Sequence, residues 1–250
     1  MRFFEPLWIA ISTYSVLPVP RFEWNEDNMR FALCFLPLVG LFVGAALLVW
    51  VWACRILNVG AAFFAAVATA LPLLLTGSIH MDGFMDTVDA LASHQSKERK
   101  LAILKDSHVG AFAVIYCGVY LLLNFGLYQA LFQTPALLSI CWGFILSRSL
   151  SAFSALTLPN ARGTGMLSAF TEHARGRAAM IIASLLAAGG MVWASPMAGG
   201  LAAAFAALAT LGYRRMALKQ FGGVTGDTSG FFLQACELAL LFGLWIGGQL

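Results

Sequence analysis

From residue 31 to residue 54 the chain carries no Lys, Arg, Asp or Glu, and it repeats that absence in several further runs. Runs of roughly 18 or more apolar residues are long enough to cross a bilayer. Inside a bilayer the backbone must satisfy its own hydrogen bonds, which leaves helices or closed barrels. Runs of this length, without period-two alternation, select helices. Mean hydropathy is +0.81 and only 11% of residues are charged, so the constraint extends over the whole chain. The expected fold is an all-α integral membrane protein, a polytopic helix bundle forming a single membrane-embedded domain over residues 1–250. Membrane lipid is the surrounding partner. The net charge of +3 is small and dispersed, and no nucleic-acid partner is expected. No oligomeric state follows from the sequence.

About seven transmembrane helices are expected. Residues 31–54, 56–79, 109–133 and 136–158 give four, the last interrupted only by Arg148. Residues 178–213 are too long for one crossing and carry Ser195-Pro196 near the middle, followed by Gly199-Gly200, so they read as a tight helical pair. Residues 230–250 give the last, carrying Glu237. Residues 3–17 are short and end in Leu17-Pro18-Val19-Pro20, as an N-terminal interfacial or partly inserted helix would. With Glu5, Pro6, Pro18 and Pro20, the first twenty residues do not read as a cleaved signal peptide. The cysteines form no Cys-x-x-Cys pair and read as small buried hydrophobes.

Connections after alternate spans lie on opposite sides. One side collects Arg21, Arg30, Lys97, Arg99, Lys100, Lys105, Arg162, Arg175, Arg177, Arg214, Arg215 and Lys219, while the other has Arg55. The positive-inside rule makes the basic side cytoplasmic. The long connections, 80–108, 159–177 and 214–229, fall on that side, so the chemistry is expected at the cytoplasmic face.

The densest polar stretch is His80-Met81-Asp82-Gly83-Phe84-Met85-Asp86-Thr87-Val88-Asp89. On a helix, Asp82, Asp86 and Asp89 share one face. Helix-dipole stabilisation accounts for one of these acids near an N-terminus, and less well for three. A hard divalent cation such as Mg²⁺ between them, shared with substrate phosphates, accounts for all three. His80 reads either as an interfacial cap or as a general acid–base.

A second stretch is Gly222-Gly223-Val224-Thr225-Gly226-Asp227-Thr228-Ser229-Gly230. Its glycines suit an anion nest, with Gly223, Thr225, Gly226 and Thr228 as substrate contacts and Asp227 as a metal ligand or ribose contact. The alternative is a flexible connection capped at Asp227 or Thr228. A third, Lys105-Asp106-Ser107-His108-Val109-Gly110, offers charge stabilisation from Lys105 and substrate contacts from Asp106, Ser107 and His108, or an N-cap. Charges within the membrane are costly. Arg148 and Glu237 therefore read as a mutual pair, or as an arginine reaching a phosphate and an acid facing substrate. Of the loop arginines, Arg162 is a candidate phosphate contact.

These segments, with Leu17-Pro18-Val19-Pro20, Phe35-Leu36-Pro37-Leu38-Val39-Gly40, Thr76-Gly77 and Ser147-Arg148, resemble the cobalamin synthase family, the adenosylcobinamide-GDP ribazoletransferases of the bacterial inner membrane. The order and spacing match along most of the chain. Ser78-Ile79 departs from the family's usual Gly-Phe before the histidine, and Ala161-Arg162-Gly163-Thr164-Gly165 stands where its loop commonly reads Ala-Arg-x-x-Gly. The resemblance implies a Mg²⁺-dependent phosphotransferase. Its substrates are adenosylcobinamide-GDP and α-ribazole or its 5′-phosphate, and its products are adenosylcobalamin or its 5′-phosphate and GMP. Under that reading Asp82, Asp86, Asp89 and Asp227 hold metal. His80 is the base, with one of the aspartates as alternative, and Arg148 and Lys105 stabilise charge. The rival classes are a CDP-alcohol phosphotransferase and an ion-coupled transporter.

Overall fold

The computed structural model describes residues 4–22, 24–171 and 176–250. Arg175 and the first residue of the 3–17 stretch lie outside them. Among the described residues the chain is helical: α1 Glu5–Tyr14, α2 Glu26–Ala32, α3 Leu36–Ile56, α4 Ala61–Leu75, α5 Ile79–Ala92, α6 Lys97–Ile103, α7 Ala111–Leu131, α8 Ile140–Thr157, α9 Met166–Thr171, α10 Arg177–Ala194, α11 Pro196–Phe221 and α12 Gly226–Gly247. Six stretches, carrying α3, α7, α8, α10, α11 and α12, are long and apolar enough to cross a membrane. Counting the bent pair α4 and α5 as one gives seven. Leu48, Leu122, Leu185, Trp193 and Leu208 point outward and exposed. A lipid-facing surface requires this, and a surface in water disfavours it.

The second expected span, 56–79, is where sequence and structure differ. The helix stops at Leu75, and α5 leaves at 92° to it. Pro72 loosens the last turn of α4, and the chain reverses through left-handed Gly77 and Ser78, at φ of +58° and +59°. The α1 exit pins this corner, because the Val16 N–H donates to the Leu75 carbonyl at 2.9 Å. Thus the apolar run is broken at this corner, and α5 packs against α7 and α12. The helix α1 has ten residues, about 15 Å, and is too short to span. The expected pair in 178–213 is present as α10 and α11. They turn at Ser195, with Pro196 opening α11, which runs on to Phe221.

In the bundle interior, Arg148 Nη1 meets Glu237 Oε1 at 2.5 Å, and Ser147 donates to the same carboxylate at 3.2 Å. The Tyr120 hydroxyl donates to the Gln234 side-chain oxygen. Buried polar groups are thus paired with each other, as a low-dielectric interior demands. Cys54 and Cys236 are buried among apolar neighbours, as expected, whereas Cys34, Cys117 and Cys141 are only partly buried.

Candidate active site

Two helix starts meet where α5 packs against α12. α11 ends at left-handed Gly222, and α12 opens with a capping box. The Thr228 N–H donates to Thr225 Oγ1 at 3.1 Å, and the Thr225 N–H to Thr228 Oγ1 at 2.9 Å. The helices α5 and α12 then approach backbone to backbone. A Cβ at Gly83 would sit 2.7 Å from the Asp227 carbonyl oxygen, and one at Gly230 would sit 2.9 Å from that of His80. The 159–161 segment pairs with the same loop. Val224 donates to the Pro159 carbonyl, and Ala161 to the Val224 carbonyl, each at 2.9 Å.

These elements enclose a cavity of about 240 Å³. Asp82, Asn160, Arg162, Thr225, Gly226 and Asp227 give it a polar wall, and Tyr14, Leu33, Leu36, Met166 and Leu167 an apolar one. Arg162 pairs with Asp227 at 2.7 Å and donates to the Leu104 carbonyl at 2.9 Å, so the ends of α6 and α12 hold the guanidinium from two sides. The Asn160 side-chain oxygen accepts the N–H groups of Arg162 and Gly163 at 2.9 and 3.0 Å. Its amide nitrogen is buried with no partner.

The carboxylates repel one another strongly enough to change their chemistry. Burial, then the charges of Asp82, Asp227 and Asp89, push Asp86 up to about 7 against the smaller opposing pull of Arg162. A cation would relieve this repulsion, and all-oxygen donors suit Mg²⁺. Asp82 and Asp227, which share the cavity wall, are carboxylate donors of the kind Mg²⁺ prefers. Among the described residues, however, no group of three or more acidic, histidine or cysteine side chains is placed to hold a metal ion. Substrate phosphates and water would have to complete the coordination. Asp89 stands apart. Its two oxygens accept the N–H groups of Gly110 at 2.6 Å and Ala113 at 2.8 Å, capping α7. In the structure it is a clamp between α5 and α7.

His80 is buried and stacks on Tyr14, with ring centroids 5.9 Å apart and planes inclined by 19°. Its Nε2 has no partner. Burial, with a smaller contribution from Arg148, lowers its pKa to about 3, so the ring stays neutral. An imidazole so weakly basic is a poor proton acceptor.

Other sequence expectations land elsewhere. Arg148 and Glu237 take the mutual-pair reading, buried together within the bundle rather than facing a substrate. Lys105 and Ser107 are exposed. Asp106 and His108 bind one another at 2.6 Å, and the His108 contacts hold the Asp106 carboxyl below its usual range. They line a separate shallow recess with Asp89 and Gly110. The anion nest is not built at residues 222–225. The N–H groups of Gly222, Gly223, Val224 and Thr225 already donate to Leu218, Ala217, Pro159 and Thr228. Gly223 serves close packing, since a Cβ there would sit 2.2 Å from the Pro159 carbonyl oxygen. Thr225 caps α12, with Thr228 completing the box, where Asp227 or Thr228 was the expected cap.

Comparison with known proteins gives this geometry a context. Residues 6–245 match the profile of a family described as cobalamin-5-phosphate synthase. The chain belongs to the cobalamin-5-phosphate synthase family. Among similar members, the adenosylcobinamide-GDP ribazoletransferase of Lachnoclostridium phytofermentans is 40% identical over 241 residues, covering 95% of this chain and 92% of the relative. Proteins of the same name from Desulfitobacterium hafniense and Pseudomonas fluorescens are 35% and 32% identical, covering 95% and 96% of this chain and 95% and 98% of theirs. No solved structure matches.

In this member of the family the cavity includes two residues that sequence reasoning did not single out. Tyr14 comes from the short first helix and Asn160 from the loop beyond α8. Neither belongs to a local motif. Only the packing of α1 against the bundle and the 159–224 pairing bring them to the carboxylates.

Proposed function

We propose that this membrane transferase joins adenosylcobinamide-GDP to α-ribazole or its 5′-phosphate, completing adenosylcobalamin or its 5′-phosphate and releasing GMP. One observation carries the reading: Asp82, Asp227, Arg162 and the start of α12 share the wall of one cavity, in a chain matched along residues 6–245. Carboxylates for a cation, a guanidinium and a helix N-terminus are the groups that phosphoryl transfer uses.

In the step, a ribose hydroxyl oxygen attacks the phosphorus bonded to the corrinoid side chain. The bond from that phosphorus to the GMP oxygen breaks, and GMP leaves with the electron pair. The hydroxyl proton passes to a carboxylate of the cluster, two of which, Asp82 and Asp227, stand on the cavity wall. Asp82, Asp86 and Asp227 would hold Mg²⁺, which when bound neutralises phosphate charge. Arg162, fixed by Leu104 and Asp227, orients a phosphate oxygen. The site faces the cytoplasm of a bacterial inner membrane, a reading supported by the basic residues of the connections at its end of the bundle.

The ion-coupled transporter is disfavoured by one feature. Arg148 and Glu237 neutralise each other within the bundle, where an ion-coupled path needs exchangeable groups. A radiolabel assay in detergent tests the proposal. GMP release should require α-ribazole, activated cobinamide and Mg²⁺ together, and release without α-ribazole would overturn it.

A further inference from the structure

The guanidinium of Arg162 leans on a helix too short to hold its own place. α6 has seven residues, and a helix of that length is not stable alone. Its end packs into a small apolar cluster, where Leu104 joins Ala90, Phe221 and Ala161. Apolar contact is non-directional and sets rotation and register only loosely. Lys100 supplies the direction. It is only 6% exposed, and its ammonium donates to the Gln220 side-chain oxygen at 2.5 Å. Among the described residues no carboxylate pairs with it. A buried ammonium without a counter-ion is costly, and its charge strengthens the one bond it makes. Phosphoryl transfer as described gives this lysine no task.

The bond closes a ring of contacts beside the cavity. One turn beyond Lys100, the Leu104 N–H donates to the Lys100 carbonyl at 3.1 Å. The Leu104 carbonyl accepts from Arg162 Nη2 at 2.9 Å, and the same nitrogen lies 2.7 Å from Asp227 Oδ2. From Asp227 the chain runs back through the capped loop to Gln220, in the last turn of α11. Both partners of the Arg162–Asp227 pair are thus tied, one through α6 and one through the end of α11, to the contact of Lys100 with Gln220. With Nη2 engaged and Nε buried, Nη1 is the donor left for a phosphate oxygen. Resting on the role proposed above for Arg162, we infer that Lys100 is a positioning residue. It touches no reacting group. By fixing α6 against α11 it sets where the Leu104 carbonyl stands, and so which way the guanidinium faces.

A double-mutant cycle on the full-length enzyme in detergent tests this. Lys100→Met keeps most of the side chain and removes the donor. It should lower kcat for GMP release about tenfold, as misplacing a catalytic group does, with KM for α-ribazole within about twofold. In an Arg162→Ala background, read in single turnover at high enzyme concentration, the same substitution should cost less than about twofold, because its effect passes through the guanidinium. Gln220→Glu, which keeps an acceptor, should retain wild-type turnover. Gln220→Ala, which leaves Lys100 able to reach water, should repeat the loss seen in Lys100→Met. The assignment fails if Lys100→Met turns over at the wild-type rate, or if its loss is as large without Arg162 as with it. It also fails if Lys100→Met and Gln220→Ala both fail to insert, since the contact would then serve folding alone. Wild-type turnover in Arg162→Ala would instead refute the role of Arg162, and wild-type enzyme that releases no GMP in response to α-ribazole would refute the proposed function.

Discussion

Single side chains in the acidic stretch divide by their partners. Asp82 and Asp227 face the cavity, Asp86 sits in the repulsive field of its neighbours, and Asp89 holds α7. Asp82→Asn should therefore abolish turnover with membrane insertion intact. Asp89→Asn should weaken the cap of α7 by about 1 kcal/mol and lower Tm while leaving Mg²⁺ affinity within about threefold. Loss of Mg²⁺ binding in Asp89→Asn, measured by calorimetry, would return it to the ligand set. Asp86 also sets a pH dependence. Its folded pKa near 7 exceeds that of the unfolded chain, near 3.9, so without metal it costs stability as pH rises from about 4 through 7. Binding of the ion must displace its proton. Mg²⁺ affinity should then fall by up to about tenfold per pH unit below 7, and Asp86→Asn should flatten that slope.

Between elements, the decisive contact is the backbone approach of α5 to α12. Gly83→Ala would force a methyl to within 2.7 Å of the Asp227 carbonyl oxygen. The helices would have to separate, and GMP release should drop by at least about tenfold while the protein still inserts, because displacing catalytic groups by about 1 Å is costly. Wild-type turnover for Gly83→Ala would show that the two helix ends need not touch. The sequence carried these parts unequally. The crossings were legible because absence of charge is a property of each segment alone. The helical face shared by Asp82 and Asp86 was legible from spacing. What Asp89, Gly223 and Thr225 do was not. Their partners are Gly110, Pro159 and Thr228, and only the last is close enough in the chain for a local pattern to show it. The α4–α5 corner was hidden too, since 56–79 stays apolar through the turn and only the geometry at Gly77 and Ser78 breaks it.

At the scale of the whole molecule, the Arg148–Glu237 pair ties α8 to α12 far from water. Removing either partner alone leaves a buried charge, a loss of about 3–5 kcal/mol. Arg148→Met and Glu237→Leu should each fail to accumulate. The double substitution should recover both folding and turnover, and recovery of folding alone would show that Arg148 also takes part in the reaction.

The right-angle corner has a consequence for the membrane. α4 has fifteen residues and reaches about 22 Å, whereas a hydrocarbon core measures about 30 Å. Around this helix the bilayer must thin, or the start of α5 must sink below the headgroups. The enzyme becomes a gauge of bilayer thickness, faster in short-chain than in long-chain lipid vesicles.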